Sequence, residues 1–333
     1  MCTRTCRAVI RHCPPHFRIG CDSGNSAVTV RRGARRVPPA HGRVGLDARP
    51  RGRSWRLSSC ADPRGDSRAA SGSLRILRNT SLHTLAIAPL TAIGGDLEIG
   101  RTGADNHPTA FIQPLTHIDV LSELTTVGGS LGLADSIQTL APLINLQSVG
   151  GDLNVSHTLA LTSLDGLDNL TSIGGALEII DNLALTDING LSHVTAIGGR
   201  IRIGQLMQGG NPSLTNLDGL ATFVAATGTI AGRLDITEND GLTSIAGLSG
   251  IHTIEGRLFL RSNDALISLS GLDGLGQVGG DTFVIIFNDQ VPTCDAASLF
   301  STITPFYGDV CIRDNEADSC ADNSSGCSNE NLI

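Results

Sequence analysis

The sequence predicts a mainly β protein: a single-stranded, right-handed β-solenoid of about nine coils, each 22–24 residues long. Three observations predict it. The segment apolar-Gly-Gly-x-Leu-x-Ile recurs, as in Ile93–Ile99 and Val127–Leu133, with steps of mostly 22 or 24 residues. Glycine is abundant at 40 residues, whereas the 333-residue chain has one Trp and one Tyr. Aliphatic residues separated by glycine suit thin, stacked layers better than one core built on large aromatic rings.

Each coil is expected to contain a short strand, two corners and a second run of leucines. The Leu-x-Ile pair alternates between the two faces of a strand, so one face is buried. The Gly-Gly pair permits backbone angles that other residues resist and turns a corner. Leu161–Leu167 is a second register that returns in four later coils, and its Asp165-Gly166 pair marks a tight turn. Such a coil buries its apolar side chains only against neighbouring coils.

An asparagine recurs three residues before the first apolar residue of the second register. In a stacked solenoid these amides lie over one another and bond turn backbone groups that the strands leave unpaired. We therefore expect a structural asparagine ladder, with a gap where Thr158 takes the position. Its predicted members are Asn79, Asn182, Asn211, Asn239, Asn263 and Asn288.

The composition divides the chain into three parts. Residues 1–69 are rich in Arg, Pro, Gly and Ser and lack a hydrophobic period, which predicts a disordered Arg-rich arm or a non-native extension. No apolar run there has the length of a signal peptide. Residues 70–291 form the repeat domain, and residues 292–333 form a Cys-containing C-terminal cap and tail. The net charge also differs between the parts. Residues 1–70 contain 15 Arg and four acidic residues, whereas the rest of the chain contains nine Arg and 28 acidic residues.

Four cysteines lie together near the end of the chain, after a long cysteine-free stretch. An even cluster in a short polar segment favours two disulfides, with three pairings open, and therefore an oxidising compartment. Tetrathiolate zinc is the competing interpretation, but no C-x₂-C pair is present. The disulfide candidates are Cys294, Cys311, Cys320 and Cys327.

The pattern Leu-x-Ile-x-x-Asn-x-x-Leu-x-x-Ile, as in Leu177–Ile188, resembles leucine-rich repeats. With its Gly-Gly corner it is most similar to the receptor L-domain family, the β-solenoid modules of cell-surface receptors and of many microbial surface proteins. The resemblance covers about residues 70–291. It implies an extracellular binding or scaffolding role without catalysis, and it brings no functional residues to transfer.

The chain shows no sign of an active site. It contains no Walker loop, dinucleotide fingerprint, G-x-S-x-G elbow or H-E-x-x-H spacing, so no catalytic, cofactor-binding or metal residues are predicted. Polysaccharide-active β-helices need converging acids, and the outward positions of early strands carry several. On a solvated outer strand, however, acids are normally solubilising. These acids are Asp96, Glu98, Asp152 and Glu178.

Outward positions of the later strands carry arginine and aromatic residues instead. Arginine with exposed aromatic side chains is the usual composition of interaction surfaces. The candidate ligand-binding residues are Arg200, Arg202, Arg233, Arg257, Phe259, Arg261 and Phe283. Two enlarged coils, with insertions near residues 99–115 and 205–230, add loops of the kind that carry recognition or merely tolerate insertion.

We therefore expect a non-catalytic extracellular or cell-surface protein that binds or scaffolds a protein or glycan ligand, with cell-envelope attachment as one arrangement. No cofactor and no nucleic-acid partner are expected. A β-helix polysaccharide-active enzyme and an intracellular protein-interaction repeat are the alternatives. The sequence names neither the ligand nor the mode of attachment nor the oligomeric state.

Overall fold

The computed structural model describes residues 19–20, 69–70, 72–77, 90–100, 119–134, 137–207 and 209–316, together with residues 318 and 320. Over these residues the protein is mainly β, with parallel sheets and only two short α-helices. The mainly β prediction is therefore confirmed, and the architecture is β-solenoid-like.

Twenty strands are described, most of them two to four residues long. They are β1 (Ile19–Gly20), β2 (Ala69–Ala70), β3 (Leu74–Leu77), β4 (Ala92–Ile93), β5 (Leu97–Ile99), β6 (Thr126–Val127), β7 (Leu131–Ala134), β8 (Ser148–Val149), β9 (Leu153–Ser156), β10 (Ser172–Ile173), β11 (Leu177–Ile180), β12 (Ala196–Ile197), β13 (Ile201–Ile203), β14 (Thr229–Ile230), β15 (Leu234–Thr237), β16 (Thr253–Ile254), β17 (Leu258–Arg261), β18 (Gln277–Val278), β19 (Thr282–Ile286) and β20 (Asp309–Arg313). The α-helices are α1 (Ala221–Thr227) and α2 (Thr293–Thr302). Short 3₁₀ turns occupy Asp119–Leu121, Ala141–Leu143, Asn189–Leu191, Asp218–Leu220, Ala246–Leu248 and Ser270–Leu272.

Alternate strands along the chain build different sheets. The large sheet has eleven strands in the order β1-β3-β5-β7-β9-β11-β13-β15-β17-β19-β20. The second side is divided into a six-stranded sheet, β12-β10-β8-β6-β4-β2, and a three-stranded sheet, β14-β16-β18. The division falls at the enlarged coil that contains α1. Each long strand thus lies beside the equivalent strand of the next repeat, in parallel.

The register places equivalent residues side by side. Leu177 aligns with Leu153 on one neighbouring strand and with Ile201 on the other. Leu177 and Ile179 are fully buried, while Glu178 between them points away from the core. The period-2 alternation therefore places one column of aliphatic side chains in a continuous core and leaves the intervening column on the outer face of the large sheet.

The Gly-Gly corners bring successive coils into backbone contact. A Cβ atom added to Gly174 would lie 2.3 Å from the carbonyl oxygen of Gly150, the equivalent residue one coil earlier. The second corner is equally close, because a Cβ on Gly190 would lie 2.0 Å from the carbonyl oxygen of Leu164. Glycine is required at these positions because the stacking distance leaves no room for a side chain.

The asparagine positions form a buried hydrogen-bonded column. The side-chain Nδ2 of each asparagine donates to a strand carbonyl of the preceding coil and to Oδ1 of the asparagine in the next coil. The same Oδ1 also accepts the main-chain N–H of the donating asparagine. The column contains Asn182, Asn211, Asn239, Asn263 and Asn288, and Asn315 continues it by accepting from Asn288. Thr158 fills the gap by donating its hydroxyl to Asn182. Asn79 lies outside the described residues.

The repeat does not stop at the predicted boundary of residue 291. After α2, strand β20 pairs in parallel with β19, and its Val310 aligns with Phe283. The predicted cap therefore contributes a further strand to the large sheet. Within this cap Cys294 and Cys320 form a disulfide, and Cys311 is disulfide-bonded as well. Cys327 lies outside the described residues.

Most of the predicted N-terminal arm also lies outside the described residues. Two described parts of the arm are in strands rather than disordered: β1 pairs in parallel with β3, and Ala69 in β2 aligns with Ala92 of β4. Disorder over the other residues of the arm stays a prediction. Among the described residues, no helix combines the length and the apolar character needed to cross a membrane.

Candidate functional site

The predicted arginines lie on, or immediately before, three consecutive strands of the large sheet. Arg200, Arg233 and Arg257 each immediately precede an inward-facing residue of β13, β15 or β17, and these inward residues align with one another. The three arginines therefore form a row across the sheet, next to the Gly-Gly corner. Arg202 lies in a second outward column, where it aligns with Asp235, which in turn aligns with Phe259.

Asp235 is the centre of this arginine group. Its carboxylate lies 2.8 Å from Arg233 Nε, 3.2 Å from Arg257 Nε and 3.6 Å from Arg202 Nε, and the residue is only 4% exposed. Burial raises the pKa of Asp235, although the positive charge of Arg257 and then of Arg202 opposes the shift. Sequence reasoning misses Asp235, although its place between Leu234 and Ile236 marks it as outward-facing.

Glu178 holds the other end of the group. Its Oε1 accepts from Nη2 of Arg200 at 2.6 Å, and it lies 3.6 Å from Nη1 of Arg202. Asn154, one coil earlier, donates to Oε2 of the same carboxylate at 3.0 Å. Arg202 therefore bridges the two acids. Four arginines meet two carboxylates on this part of the face, which leaves an excess of two positive charges.

Phe259 does not contribute an exposed aromatic ring, contrary to the prediction. It does occupy an outward position, but it is 1% exposed and belongs to a second apolar cluster on the outer face. Val284, Ile286 and Cys311 form the rest of this cluster, with Leu206 packed against it. The guanidinium of Arg257 lies over the Phe259 ring at 5.0 Å. The ring therefore supports the arginine instead of presenting a contact to a ligand.

Phe283 faces the opposite way from the prediction. It aligns with the inward-facing Leu258, is fully buried, and packs its ring 5.2 Å from Phe300 and 6.3 Å from Phe306. The cause is one additional residue between the corner and the strand: four positions separate Ile254 from Leu258, but five separate Val278 from Phe283. A shift of one residue moves a strand side chain to the other face.

Arg261 lies beyond the row, near the end of its strand. Its guanidinium carbon is 5.3 Å from the centroid of Phe287, and Arg313 approaches the same ring at the same distance. Arg313 also pairs with the neighbouring Asp314. The seven predicted residues therefore separate into an arginine group of four, one distant arginine that packs on an aromatic ring, and two buried phenylalanines.

The arginine row borders a shallow groove of about 600 Å³ that follows the Gly-Gly corner across successive coils. Its floor is made by the second glycine of each corner, so it carries no side chains. These glycines are Gly175, Gly199, Gly232, Gly256 and Gly280. Arg200, Arg233 and Arg257 lie along it, and Asp152 and Asp281 also line it. The groove could have been found from the sequence, because the second corner glycine and the residue that follows it recur together in successive repeats.

The second enlarged coil covers part of the outer face. Its loop is closed by a pair of hydrogen bonds between Gln205 and Gly209, and Gln205 Oε1 accepts from Arg202 at 3.1 Å. Leu206 packs on the outer cluster, while Met207 is 90% exposed. The later insertion forms α1. The first enlarged loop, from residue 101 to residue 118, lies outside the described residues.

Within the described part of the chain, one group of three side chains has metal-ligand spacing. Cys294, Asp318 and Cys320 bring their ligand atoms within 4.8 Å of one another. The two sulfur atoms are bonded to each other, and the Asp318 carboxylate accepts the main-chain N–H groups of both cysteines. The disulfide and these hydrogen bonds explain why the three side chains lie close together: they close the C-terminal cap.

Neither a protein-family model nor a curated protein sequence matches this chain.

Proposed function

We propose that this chain is a non-catalytic extracellular or cell-surface binding protein, and that its arginine-lined groove recognises a protein or glycan ligand. In this proposal the described sheets belong to a single-stranded, right-handed solenoid of about nine coils, as in receptor L-domain proteins. The proposal rests on one observation: a surface groove is bordered by three arginines that pair with the largely buried carboxylates of Glu178 and Asp235.

The arginines are prepared for binding because their side chains are already ordered. Arg200 is held by Glu178, and Arg233 and Arg257 are held by Asp235. Their side chains nevertheless remain 41%, 32% and 27% exposed, in that order. Ordering the side chains before the ligand arrives reduces the conformational entropy that binding would otherwise cost.

The absence of catalysis is part of the same proposal. A glycosidase needs a protonated acid and a second carboxylate on either side of a scissile bond. On this face Glu178 and Asp235 are both directed at arginines, and Arg202 lies between them. This arrangement suits positioning of the guanidiniums better than proton transfer to a substrate. The polysaccharide-active enzyme therefore stays the weaker candidate.

An extracellular location is supported by the Cys294–Cys320 disulfide, because disulfides persist in oxidising compartments. The intracellular alternative expects these cysteines to be reduced in the protein isolated from its source. Alkylation of the untreated and the reduced protein, followed by mass measurement, separates the two. Labelling of Cys294 without prior reduction would remove this support.

Binding to the groove is tested with the full chain on glycan and protein arrays. The variant Arg233→Gln/Arg257→Gln removes two positive charges from the row, and Arg313→Gln is the matched control because it lies outside the groove. We expect the double variant to lose at least about tenfold in affinity for any ligand found, since each charge-assisted hydrogen bond contributes about 1.5–3 kcal/mol. A ligand that binds both variants equally would place recognition elsewhere.

A further inference from the structure

We propose that Cys311 is bonded to Cys327, and that this disulfide fastens residues 321–333 over an apolar cluster on the outer face of the large sheet. This outer cluster consists of Phe259, Val284, Ile286 and Cys311. The inference is independent of the groove and of its ligand. It follows from the bonding state of Cys311, the reach of the other cysteines and the burial of the outer cluster.

Cys311 has its bonding partner outside the described residues. The cysteines in the described part of the chain are Cys294, Cys311 and Cys320. Cys294 and Cys320 are bonded to each other, and Cys311 is disulfide-bonded as well. Its partner is therefore one of the six other cysteines of the chain, which are Cys2, Cys6, Cys13, Cys21, Cys60 and Cys327.

Two of these six cysteines cannot reach Cys311. The strand that carries Cys311, β20, is ten strands from β1 in the large sheet, or about 48 Å at ~4.8 Å per strand. Cys21 follows β1 directly, and Cys13 lies six residues before it. Six residues of extended chain span at most about 22 Å, and a disulfide needs Cα atoms within about 7 Å. Cys13 and Cys21 are therefore excluded.

The other three N-terminal cysteines could reach Cys311 only through a stretched chain. Cys60 lies nine residues before β2, in the coil of β3, which is nine strands from β20. Nine residues span at most about 32 Å, against a separation of about 43 Å along the sheet. Cys2 and Cys6 lie 17 and 13 residues before β1 and would have to follow the whole length of the sheet. Stretching a chain in this way removes conformational freedom, which disfavours these bonds.

Cys327 has the shortest connection to Cys311. It lies 16 residues further along the chain, whereas Cys60, the nearest of the N-terminal cysteines in sequence, lies 251 residues away. The entropic cost of closing a loop grows with its length. Cys327 also lies seven residues after Cys320, which its own disulfide holds at the cap, so it stays within about 25 Å of that point. Both the loop length and the anchored start favour Cys327.

The outer cluster is buried although its side chains point away from the main core. Phe259, Val284 and Cys311 align in one outward column, and every member of the cluster is at most 1% exposed. Because β20 is the last strand of the large sheet, no further strand of that sheet lies beside Cys311. Among the described residues, the hydrophobic side chains packed on the cluster from outside it are Leu206 and Phe287.

These two side chains leave the Cys311 end of the cluster to another cover. Leu206 follows β13, which is four strands, or about 19 Å, from β20. Phe287 lies at the end of β19, where its ring contacts two arginines. Cys311 is nevertheless 0% exposed. A segment bonded to Cys311 lies against it by necessity, so residues held through Cys327 are in the position that this cover requires.

The composition of residues 321–333 explains why a covalent bond is needed to hold them. Their apolar side chains are Ala321, Cys327, Leu332 and Ile333, and the other nine residues are Gly, Ser, Asn, Asp or Glu. Burial of so few apolar side chains offsets little of the entropy lost on ordering the segment. A disulfide lowers this cost by restricting the free chain. Its formation from two thiols transfers two electrons and two protons to a disulfide oxidant, which becomes two thiols.

The pairing is tested on the unreduced full chain, digested with a protease that cleaves before aspartate. Such cleavage places each of the four C-terminal cysteines in a separate peptide. We expect peptide 309–313 to be linked to peptide 322–333, and peptide 289–294 to peptide 318–321. A link from peptide 309–313 to peptide 1–21 or 47–61, or a free thiol at Cys311, would overturn the pairing.

The cover is tested with the full-length variant Cys327→Ser, in which Cys311 is left as a free thiol. Alkylation under native conditions, followed by the same digestion, should label peptide 309–313, because the loss of the bond releases residues 321–333 and removes the protection of Cys311. Cys320→Ser is the matched control, since it frees the partly exposed Cys294 and should be labelled at peptide 289–294 at a similar rate. If Cys311 is labelled only after denaturation in urea, the described residues bury it without the tail and the proposed cover is wrong.

Discussion

Asn211 donates its side-chain Nδ2 to Oδ1 of Asn239 at 2.9 Å, and its main-chain N–H donates to the same oxygen at 3.0 Å. The second proton of that Nδ2 goes to the carbonyl of Ile179, also at 3.0 Å. One asparagine side chain thus satisfies backbone groups in two adjacent coils. Both residues are fully buried, so no water replaces these bonds if the side chain is removed.

Asn239→Ala should lower the free energy of unfolding by about 3 kcal/mol, because buried groups left unpaired each cost about 1–3 kcal/mol. The substitution removes the acceptor of the Asn211 main-chain N–H and the donor to the carbonyl of Ile203. Urea denaturation measures the loss. Asn169→Ala is the control, since its exposed Nδ2 makes one bond, to Ile144, and should cost about 1 kcal/mol or less. Equal losses would contradict a structural role specific to the column.

Gly256→Ala should destabilise the protein by about 1–3 kcal/mol, the usual range for overpacking. The new Cβ would lie 2.7 Å from the main-chain nitrogen of Arg233, so a backbone must move. Gly276→Ala offers a matched control within the same part of the repeat, because its Cβ would meet nothing within 4 Å. Thermal denaturation of both variants should show a loss for the first alone. A stable Gly256→Ala protein would show that the coils can separate at no cost.

Phe283→Ala should cost about 3–5 kcal/mol, as for other buried aromatic residues. Its ring packs against Phe300 and Phe306, which connects the last repeats to α2 and the segment after it. Tyr307→Ala, at a residue that is 93% exposed, should leave the unfolding free energy within about 0.5 kcal/mol of wild type. If Phe283→Ala removed ligand binding without loss of stability, the sequence-based assignment of this residue to a ligand surface would be right after all.

Asp235 should make stability depend on pH in a defined direction. Burial raises its pKa in the folded protein above the ordinary value of 3.8, so the folded state binds a proton that the unfolded state has already lost. The contribution of Asp235 is therefore most favourable below pH 3.8 and is lost as the pH rises through its raised pKa.

The measurement compares wild type with Asp235→Asn by thermal denaturation from pH 3 upward. We expect the stability of wild type relative to the variant to fall with rising pH over this window. Asp165→Asn, on an exposed turn, controls for the removal of one carboxylate from the surface. A relative stability that rises with pH would mean that the arginines outweigh burial.

The local pattern of the chain was enough to predict the type of fold and the position of its repeats. Leucine and isoleucine alternate with polar residues at the period of a strand, and this is a property of neighbouring residues that the sequence displays directly. The same holds for the corner glycines and for Asn182, Asn211 and their equivalents, because each coil repeats the requirement. Asn315 was not predicted because it lies beyond the predicted boundary at residue 291. There α2 lies between the last repeat and β20, so the local repeat pattern is interrupted.

Contacts between coils needed the tertiary structure. The sequence placed Arg233, Arg257 and Phe259 on the outer face, but it did not reveal that Asp235 gathers the arginines or that the phenylalanine is buried. These features depend on strand register and on a loop that folds over the sheet, which join residues separated by 22 or more positions. Phe283 is the clearest example of a side chain whose face was predicted wrongly. One added residue before its strand moves the phenylalanine ring from the outer face into the core, since register decides which face a strand side chain occupies.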